Sequence, residues 1–408
     1  MNSSQQSSGR GGLEVADIVR TYGADYRARH RLPKHHHDVL NALERCRTAA
    51  LGGHVDVCDH CGHERISYNS CRNRHCPKCG ALAKERWLLA RERELLPVPY
   101  FHVVFTIPQE LNHLVLTNAR VMYQMLFYTV AETLLTLAKD PKHLGAHIGV
   151  IAVLHTWGQN LIDHPHIHCI VPGGGLSSDG KRWIASRERF LIAVKVLSRL
   201  FRGKMLHQLK RAYTTNKLKL LGQSKELNRR QKFHQLLDTL YRKEWVVYAK
   251  EPFGGPRQVL AYLGRYTHRV AISNDRLVSI ADGQVRFHWR DYQDGNTVKL
   301  MSLDASEFIR RFLLHVLPEG LCKIRYYGIM SNRNRKGMLA QCRELLGVPR
   351  ARDDDSAPPG TWQEILLELT GIDLRVCPEC HTGRMIVRRM LTSLARRSGL
   401  EPIHAHAP

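Results

Sequence analysis

The sequence is poor in acidic residues, in long apolar runs and in internal repeats. Asp and Glu number 37 against 61 Lys and Arg, which leaves a formal net charge of +24. So basic a chain favours a polyanionic partner, of which nucleic acid is the commonest, although an unspecialised basic protein would show the same balance. No run approaches the roughly 20 apolar residues of a membrane span, and the longest apolar stretch, around residues 148–154, is predicted to be a buried strand. These absences exclude a membrane protein and a protein built from repeats.

An export signal is also lacking. The opening residues MNSSQQSSGRGG have no apolar core of the kind that a secretion signal needs, so we predict a disordered lead. Eleven cysteines in a chain without such a signal favour metal ligands over disulfides. We therefore expect a cytoplasmic protein whose 408 residues fold into two or three domains.

Two Cys-x-x-Cys pairs lie near the N-terminus with 14 residues between them: Cys58, Cys61, Cys76 and Cys79. Each pair offers two thiolates at about 2.3 Å from one ion, which suits a tetrahedral zinc. Four protein ligands leave no open position, so the predicted site is structural. Cys71 and His75 lie between the pairs and could replace one of the four, and a chance group of reduced cysteines is the alternative.

A third Cys-x-x-Cys pair lies in the tail, at Cys377 and Cys380. Two thiolates supply only half of a tetrahedral site. His404 and His406 could complete it, or the pair could remain without a metal.

Changes in composition and hydrophobic pattern divide the chain into six predicted segments. Strands are predicted at 100–107, 148–157 and 166–171, and a hairpin at 277–300 that turns at Asp282-Gly283. In chain order the segments are a disordered lead (1–12), an N-terminal helical and zinc-binding domain (13–96), a strand-and-helix domain with a basic helical insertion at about 185–249 (97–300), the C-terminal part of the core (301–350), a linker (351–360) and a tail with the third cysteine pair (361–408).

The segment His-Ile-His at 166–168 is the first candidate for catalytic chemistry. Side chains at i and i+2 of a strand face the same way, so the two imidazoles project together and supply half of a divalent-metal site. A solvated or hydrogen-bonded pair of histidines would have the same pattern. The third ligand could be any of three nearby polar residues, namely Gln159, His155 or His164.

Tyr262 and Tyr266 are the second candidates. They stand four residues apart in a predicted helix, so both phenols lie on one face, with Arg265 and Arg269 beside them. A tyrosine becomes a nucleophile towards a phosphodiester when a nearby cation or metal favours the phenolate and polarises the phosphate. An aromatic stripe in a core would show the same spacing.

Four stretches, taken in their order along the chain, resemble a known family. CRNRHCPKC resembles the zinc-binding segment of insertion-sequence-91-type transposases, and YLGRYTHR resembles their two-tyrosine motif. HPHIHCIVPGGG is similar to the His-hydrophobic-His (HUH) motif of the wider class of HUH endonucleases, and RYYGIMSNRNRK matches a further stretch common in the transposases. The likeness covers roughly residues 30–345.

The resemblance implies an α+β fold, with an HUH-type central antiparallel sheet flanked by helices after a small N-terminal helical and zinc-binding domain. It implies that Mg²⁺ or Mn²⁺, held by His166, His168 and Gln159, polarises the scissile phosphate. Tyr266 or Tyr262 would attack to give a 5′-phosphotyrosine and a free 3′-hydroxyl, and the other would serve the second cleavage. This is transposition of the rolling-circle type.

The partners implied are the single-stranded ends of the element and the target DNA. Possible DNA contacts are the arginines beside the two motifs, Arg72, Arg74, Arg265 and Arg269.

Two other functions would share part of this pattern. A replication initiator or plasmid relaxase would use the same chemistry, but the zinc module argues against it, as does the lack of a Gly-x4-Gly-Lys-Ser/Thr loop for a fused helicase. A zinc-dependent DNA- or RNA-binding regulator would explain the charge and the cysteines. It would leave the paired histidines and the paired tyrosines unexplained.

Overall fold

The computed structural model describes residues 12–92, 94–188, 191–250, 258, 264, 271–292, 294–348 and 361–393. The predicted linker 351–360 lies outside the described residues, as does the predicted lead 1–12 except for its last residue.

The described residues form both helices and strands. The α-helices are, in chain order, α1 (Val15–Arg29), α2 (Lys34–Arg45), α3 (Pro77–Glu92), α4 (Asn112–Thr117), α5 (Ala119–Lys139), α6 (Val194–Thr214), α7 (Arg230–Arg242), α8 (Ala305–Leu314), α9 (Arg335–Leu345) and α10 (Trp362–Thr370). The strands are β1 (Gly53–Cys58), β2 (Glu64–Tyr68), β3 (Tyr100–Thr106), β4 (Gly149–Trp157), β5 (Asp163–Pro172), β6 (Gly174–Leu176), β7 (Trp183–Ala185), β8 (Val247–Lys250), β9 (Leu277–Ala281), β10 (Gln284–Asp291), β11 (Thr297–Asp304), β12 (Ile324–Gly328) and β13 (Met385–Leu391).

The largest sheet has five antiparallel strands in the order β12-β4-β5-β3-β8. The strands predicted from the sequence are β3, β4 and β5, although β5 begins earlier than predicted, at Asp163. All nine residues of β4 are buried, so this central strand is covered on both faces. The predicted α+β class, with a central antiparallel sheet flanked by helices, is confirmed.

Helices α5 and α6 pack on one face of this sheet. Alternation along β5 turns Ile167 and Cys169 into that core, which also contains Phe127 of α5 and Phe201 of α6. Among the described residues, α5 has the length and apolar composition of a membrane span, but 67% of its most apolar window is buried. It is thus packed as a core helix. His166 and His168 are left to the opposite face of the sheet.

Asp163, at the start of β5, is a buried carboxylate. Its side chain is 7% exposed, and neither carboxylate oxygen has a hydrogen-bond partner among the residues that the structure describes. Burial raises the pKa of Asp163 to about 7. The unfolded chain has a carboxyl pKa near 3.9. The folded protein therefore holds a proton that the unfolded chain has lost, and stability falls as the pH rises through this window.

Asp163→Asn is expected to unfold at a higher temperature than the wild type at about pH 8, because the substitution removes the cost of ionising a buried carboxyl. At about pH 4 the carboxyl is neutral in the folded protein, so the two proteins should unfold at nearly the same temperature. Thermal unfolding followed by circular dichroism at both pH values tests this. A difference that is the same at both pH values would contradict it.

A second core joins the N-terminal helices to a distant part of the chain. It contains Ile18 of α1, Leu40 of α2, Phe287 of β10 and Phe308 of α8. The rings of Phe287 and Phe308 meet edge to face, with centroids 5.8 Å apart. Residues that are far apart in sequence thus share one apolar cluster.

The predicted hairpin that turns at Asp282-Gly283 is confirmed. These residues join β9 to β10 with φ values of 52° and 73°, which a type I′ turn requires at both central positions. β11 adds a third strand, in the order β11-β10-β9.

The tail strand β13 pairs with the N-terminal part of the chain. β1, β2 and β13 form an antiparallel three-stranded sheet in the order β13-β1-β2. Gly53 is opposite Leu391 and Cys58 is opposite Met385. The tail and the N-terminal domain therefore build one small sheet.

Candidate functional site

Three histidines converge on the face of the central sheet that α5 and α6 leave free. Strand pairing sets His155 of β4 opposite His166 of β5, and His168 follows two positions later on the same face. One ring nitrogen from each of the three lies within 4.8 Å of the others. The structure thus brings the predicted pair together and adds His155 to it.

Hydrogen bonds orient the rings of His166 and His168. Nδ1 of His166 lies 2.6 Å from the backbone oxygen of His164. A carbonyl can only accept, so this Nδ1 carries the proton and Nε2 keeps its lone pair. Nδ1 of His168 lies 2.7 Å from Nε2 of His102, and the planes of the two rings are nearly parallel, with centroids 5.0 Å apart. When this Nδ1 donates, Nε2 of His168 also keeps its lone pair.

Burial keeps His166 and His168 neutral. His155 and His168 are buried and His166 is partly exposed. Burial lowers the pKa of His166 to about 3 and holds the pKa of His168 well below its ordinary value. A neutral imidazole is the form that binds a metal, so the group is ready to act as a ligand set at neutral pH.

His102 is a residue that the sequence analysis missed. It lies on β3, is buried, and its pKa is lowered to about 4 by burial. The alternating segment YFHVVFTI predicts that His102 lies on a strand. The sequence does not show that this strand pairs with β5 and so brings His102 to His168.

Gln159 and His164, the other candidates for the third ligand, lie near the group but are placed differently. Gln159 is in the turn between β4 and β5, where its amide donates to the Tyr292 hydroxyl at 3.1 Å. His164 is exposed, and its ring centroid is 5.1 Å from that of His166. A role for Gln159 as third ligand stays a prediction.

Tyr262 and Tyr266, with Arg265 and Arg269, lie outside the described residues. Gly264, between the two tyrosines, is described, and a Cβ added to it would lie 2.5 Å from Cδ1 of Leu88. Gly264 therefore packs closely against α3.

Helix α3 in turn lies over the histidine face of the sheet. The indole nitrogen of Trp87 donates to the Tyr326 hydroxyl of β12 at 2.9 Å. Tyr326 is opposite Ile151, which shares its face of β4 with His155.

The four cysteines predicted to form one zinc site are divided between two groups. Each group has four sulfurs within 4.8 Å of one another, and the groups are Cys46, Cys71, Cys76 and Cys79, and Cys58, Cys61, Cys377 and Cys380. The prediction of a single site therefore needs correction. The reason is that Cys58 ends β1 and faces the strand-paired tail, whereas Cys76 and Cys79 lie at the start of α3 beside the end of α2.

In the first group, hereafter the N-terminal cysteine group, Sγ of Cys79 is 3.6 Å from Sγ of both Cys46 and Cys71. Cys76 completes it at 3.7 Å from Cys46. Cys46, which immediately follows α2, was missed in the sequence because it belongs to no Cys-x-x-Cys pair. His75, considered there as a spare ligand, is buried, and its Nε2 accepts from the Leu317 amide at 3.2 Å.

Arg72 and Arg74, two of the predicted DNA contacts, have different surroundings. Arg72 is exposed. The guanidinium of Arg74 donates to three backbone carbonyls in the loop after α8, at 2.7–3.3 Å, those of Leu317, Pro318 and Leu321. Arg74 thus holds that loop against the N-terminal cysteine group.

Comparisons with known proteins identify the family. Residues 18–107 match a family model described as a transposase zinc-binding domain, and residues 149–337 match one described as "putative transposase". The chain is 55% identical to the "putative transposase y4qJ" of Sinorhizobium fredii (strain NBRC 101917 / NGR234). The similarity extends over 378 residues, which are 92% of this chain and 95% of the relative. It is 28% identical over 307 residues, 72% of this chain and 70% of the relative, to the transposase for insertion sequence element IS801 of Pseudomonas savastanoi pv. phaseolicola.

No solved structure matches the chain. The two family models cover both the N-terminal cysteine group and the histidine group. The chain is a transposase with a zinc-binding domain, and it belongs to the family of insertion-sequence-91-type transposases.

Proposed function

We propose that this transposase nicks and rejoins single-stranded DNA at element ends through a 5′-phosphotyrosine, in transposition of the rolling-circle type. The observation that carries the proposal is the group formed by His155, His166 and His168 on one face of the central sheet. The His164 carbonyl leaves the lone pair of His166 on Nε2, and the bond between His102 and His168 orients the ring of His168.

The donor set fits a divalent metal. A divalent ion bound to His155, His166 and His168 would polarise the scissile phosphate and stabilise its developing negative charge. All three donors are imidazole nitrogens, which suit transition metals better than they suit Mg²⁺, so of the two ions predicted we favour Mn²⁺. Three protein ligands leave positions open for a phosphate oxygen.

Tyr262 or Tyr266 would be the nucleophile. Attack of the phenolate on phosphorus forms the 5′-phosphotyrosine while the bond to the 3′ oxygen breaks, and that oxygen leaves as a 3′-hydroxyl. The packing of Gly264 against Leu88 supports this assignment, because α3 itself lies over the histidine face through Trp87.

The DNA is expected to lie along basic surface. Arg72 is exposed, and Arg265 and Arg269 remain predicted contacts. Exposed Lys210 and Arg211 at the end of α6 are suited to contact the backbone, which carries no sequence information. Arg74 is a weaker candidate, since its guanidinium donates to backbone carbonyls.

The test is formation of a covalent protein–DNA adduct. Single-stranded oligonucleotides with the terminal sequences of the element, labelled at the 3′ end, are incubated with the protein with and without Mn²⁺. An adduct that survives denaturing electrophoresis and needs Mn²⁺ is expected from the wild type and from Tyr241→Phe, a control at an exposed tyrosine of α7. Tyr262→Phe/Tyr266→Phe is expected to form none.

An adduct formed by the double phenylalanine variant would exclude these two tyrosines as nucleophiles. If the wild type binds the oligonucleotides but forms no adduct on any terminal sequence, the proposed phosphotyrosine chemistry is wrong.

His102 supplies a prediction about metal affinity. Partners that orient a ligating histidine typically contribute 10–100-fold to metal affinity, so His102→Ala is expected to raise the Mn²⁺ concentration for half-maximal adduct formation by about this factor. His102→Gln should lose less, because its amide oxygen can accept from Nδ1 of His168. The Mn²⁺ dependence of the adduct rate measures this. A lower rate at saturating Mn²⁺ with an unchanged half-maximal concentration would contradict it.

A further inference from the structure

The tail cysteines meet the first cysteine pair of the chain. Sγ of Cys58 is 3.7 Å from Sγ of Cys380, and Sγ of Cys61 is 3.6 Å from Sγ of Cys377. We propose that these four residues, hereafter the terminal cysteine group, bind a zinc ion of their own and thereby fasten the tail to the N-terminal domain. The family match to the zinc-binding domain, residues 18–107, includes only half of this group.

The sulfur spacing suits a tetrahedral ion. Four bonds of about 2.3 Å to a central zinc set neighbouring sulfurs about 3.8 Å apart. The two distances across the terminal cysteine group, 3.6 and 3.7 Å, are close to this value. All four thiols are free, and two of them, Cys58 and Cys377, are buried.

The two halves of the group have the same turn. In each half the residue four positions after the first cysteine has a positive φ, 75° at Gly62 and 55° at His381. In each half the amide of that residue donates to the carbonyl of the first cysteine, at 3.2 Å in the turn between β1 and β2 and at 3.1 Å in the tail. Two copies of one loop therefore face each other, each offering a pair of sulfurs.

Backbone amides point at the sulfurs, as suits thiolates. Sγ of Cys58 accepts from the amides of His60 and Cys61 at 3.4 Å. Sγ of Cys380 accepts from the Gly383 amide at 3.3 Å. Such bonds stabilise negative charge on sulfur, which is the form that binds zinc.

The halves are also held together directly. The Asp59 amide donates to the Arg384 carbonyl at 3.0 Å, and the Arg384 amide donates to the Asp59 carboxylate at 2.7 Å. Gly383 fits so tightly that an added Cβ would lie 2.4 Å from Sγ of Cys58. Pairing of β13 with β1 continues from this point, so the zinc would lie at the end of the small sheet.

Zinc content of the purified full-length protein tests the proposal. The wild type is expected to hold two zinc ions per chain, one in each cysteine group, and Cys377→Ser/Cys380→Ser is expected to hold one. Cys322→Ser, at an exposed cysteine outside both groups, should keep two. A serine double variant with the same zinc content as the wild type would overturn the proposal, whether that content is one or two.

Two further variants keep the test informative if the serine variant does not fold. Cys380→His should retain two zinc ions, because imidazole also serves as a tetrahedral zinc ligand. Gly383→Ala should release one zinc to a chelator faster than the wild type, whereas Gly337→Ala, with open space around its Cα, should not. Equal release from the two glycine variants would count against the proposal. The DNA adduct assay is not used here, so failure of the proposed nuclease chemistry leaves this test unaffected.

Discussion

His166→Ala is expected to lower the rate of adduct formation by at least about 100-fold. Removing one of three imidazoles from the metal costs several kcal/mol of transition-state stabilisation, and about 2.7 kcal/mol corresponds to 100-fold in rate. His166 is also the histidine whose tautomer a backbone carbonyl fixes, so its Nε2 keeps the lone pair that a metal needs. The rate is measured with 3′-labelled oligonucleotide at a Mn²⁺ concentration that saturates the wild type.

His164→Ala is the matched control. His164 precedes His166 on the same face of β5, is exposed, and lies outside the group of three. Alanine keeps the backbone carbonyl that accepts from Nδ1 of His166, so this variant should cut at a rate close to that of the wild type. Equal loss in the two variants would mean that the strand, and not the metal ligand, had been disturbed.

The histidine pair was predictable because alternation along a strand is a local property. His166 and His168 needed only the strand itself to point the same way. His155 and His102 reach them through strand order and register, His155 directly opposite His166 and His102 on β3 beside β5. Register depends on packing across the whole sheet, which the spacing of residues in one segment does not reveal.

The cysteines show the same limit. Spacing identified each Cys-x-x-Cys pair as half of a tetrahedral site, and this local inference agrees with the turns at Cys58 and Cys377. The choice of partners was non-local. Cys58 and Cys61 are completed from the tail, more than 300 residues away, while the other N-terminal pair is completed by Cys46 and Cys71.

Cys76→Ser is expected to remove zinc from the N-terminal cysteine group and to unfold the core around it. Cys46 and Cys76 are buried in the same apolar cluster as Leu40 and Phe308. Structural zinc contributes roughly 10 kcal/mol or more to the folding of small zinc domains. Even part of that loss should lower the midpoint of the first thermal transition by more than about 10 °C. Calorimetry with parallel zinc analysis measures both effects.

Cys377→Ser/Cys380→Ser separates this local effect from a general loss of zinc. That variant also removes one zinc under our proposal, but from the terminal cysteine group, which lies outside the cluster of Leu40 and Phe308. Its first transition should therefore stay nearer to that of the wild type than the transition of Cys76→Ser. The core of α1, α2 and α8 also has many apolar contacts that do not involve the cysteines, and these could stabilise it without zinc. If Cys76→Ser lacks one zinc and still unfolds at the wild-type temperature, those contacts hold the core without the metal.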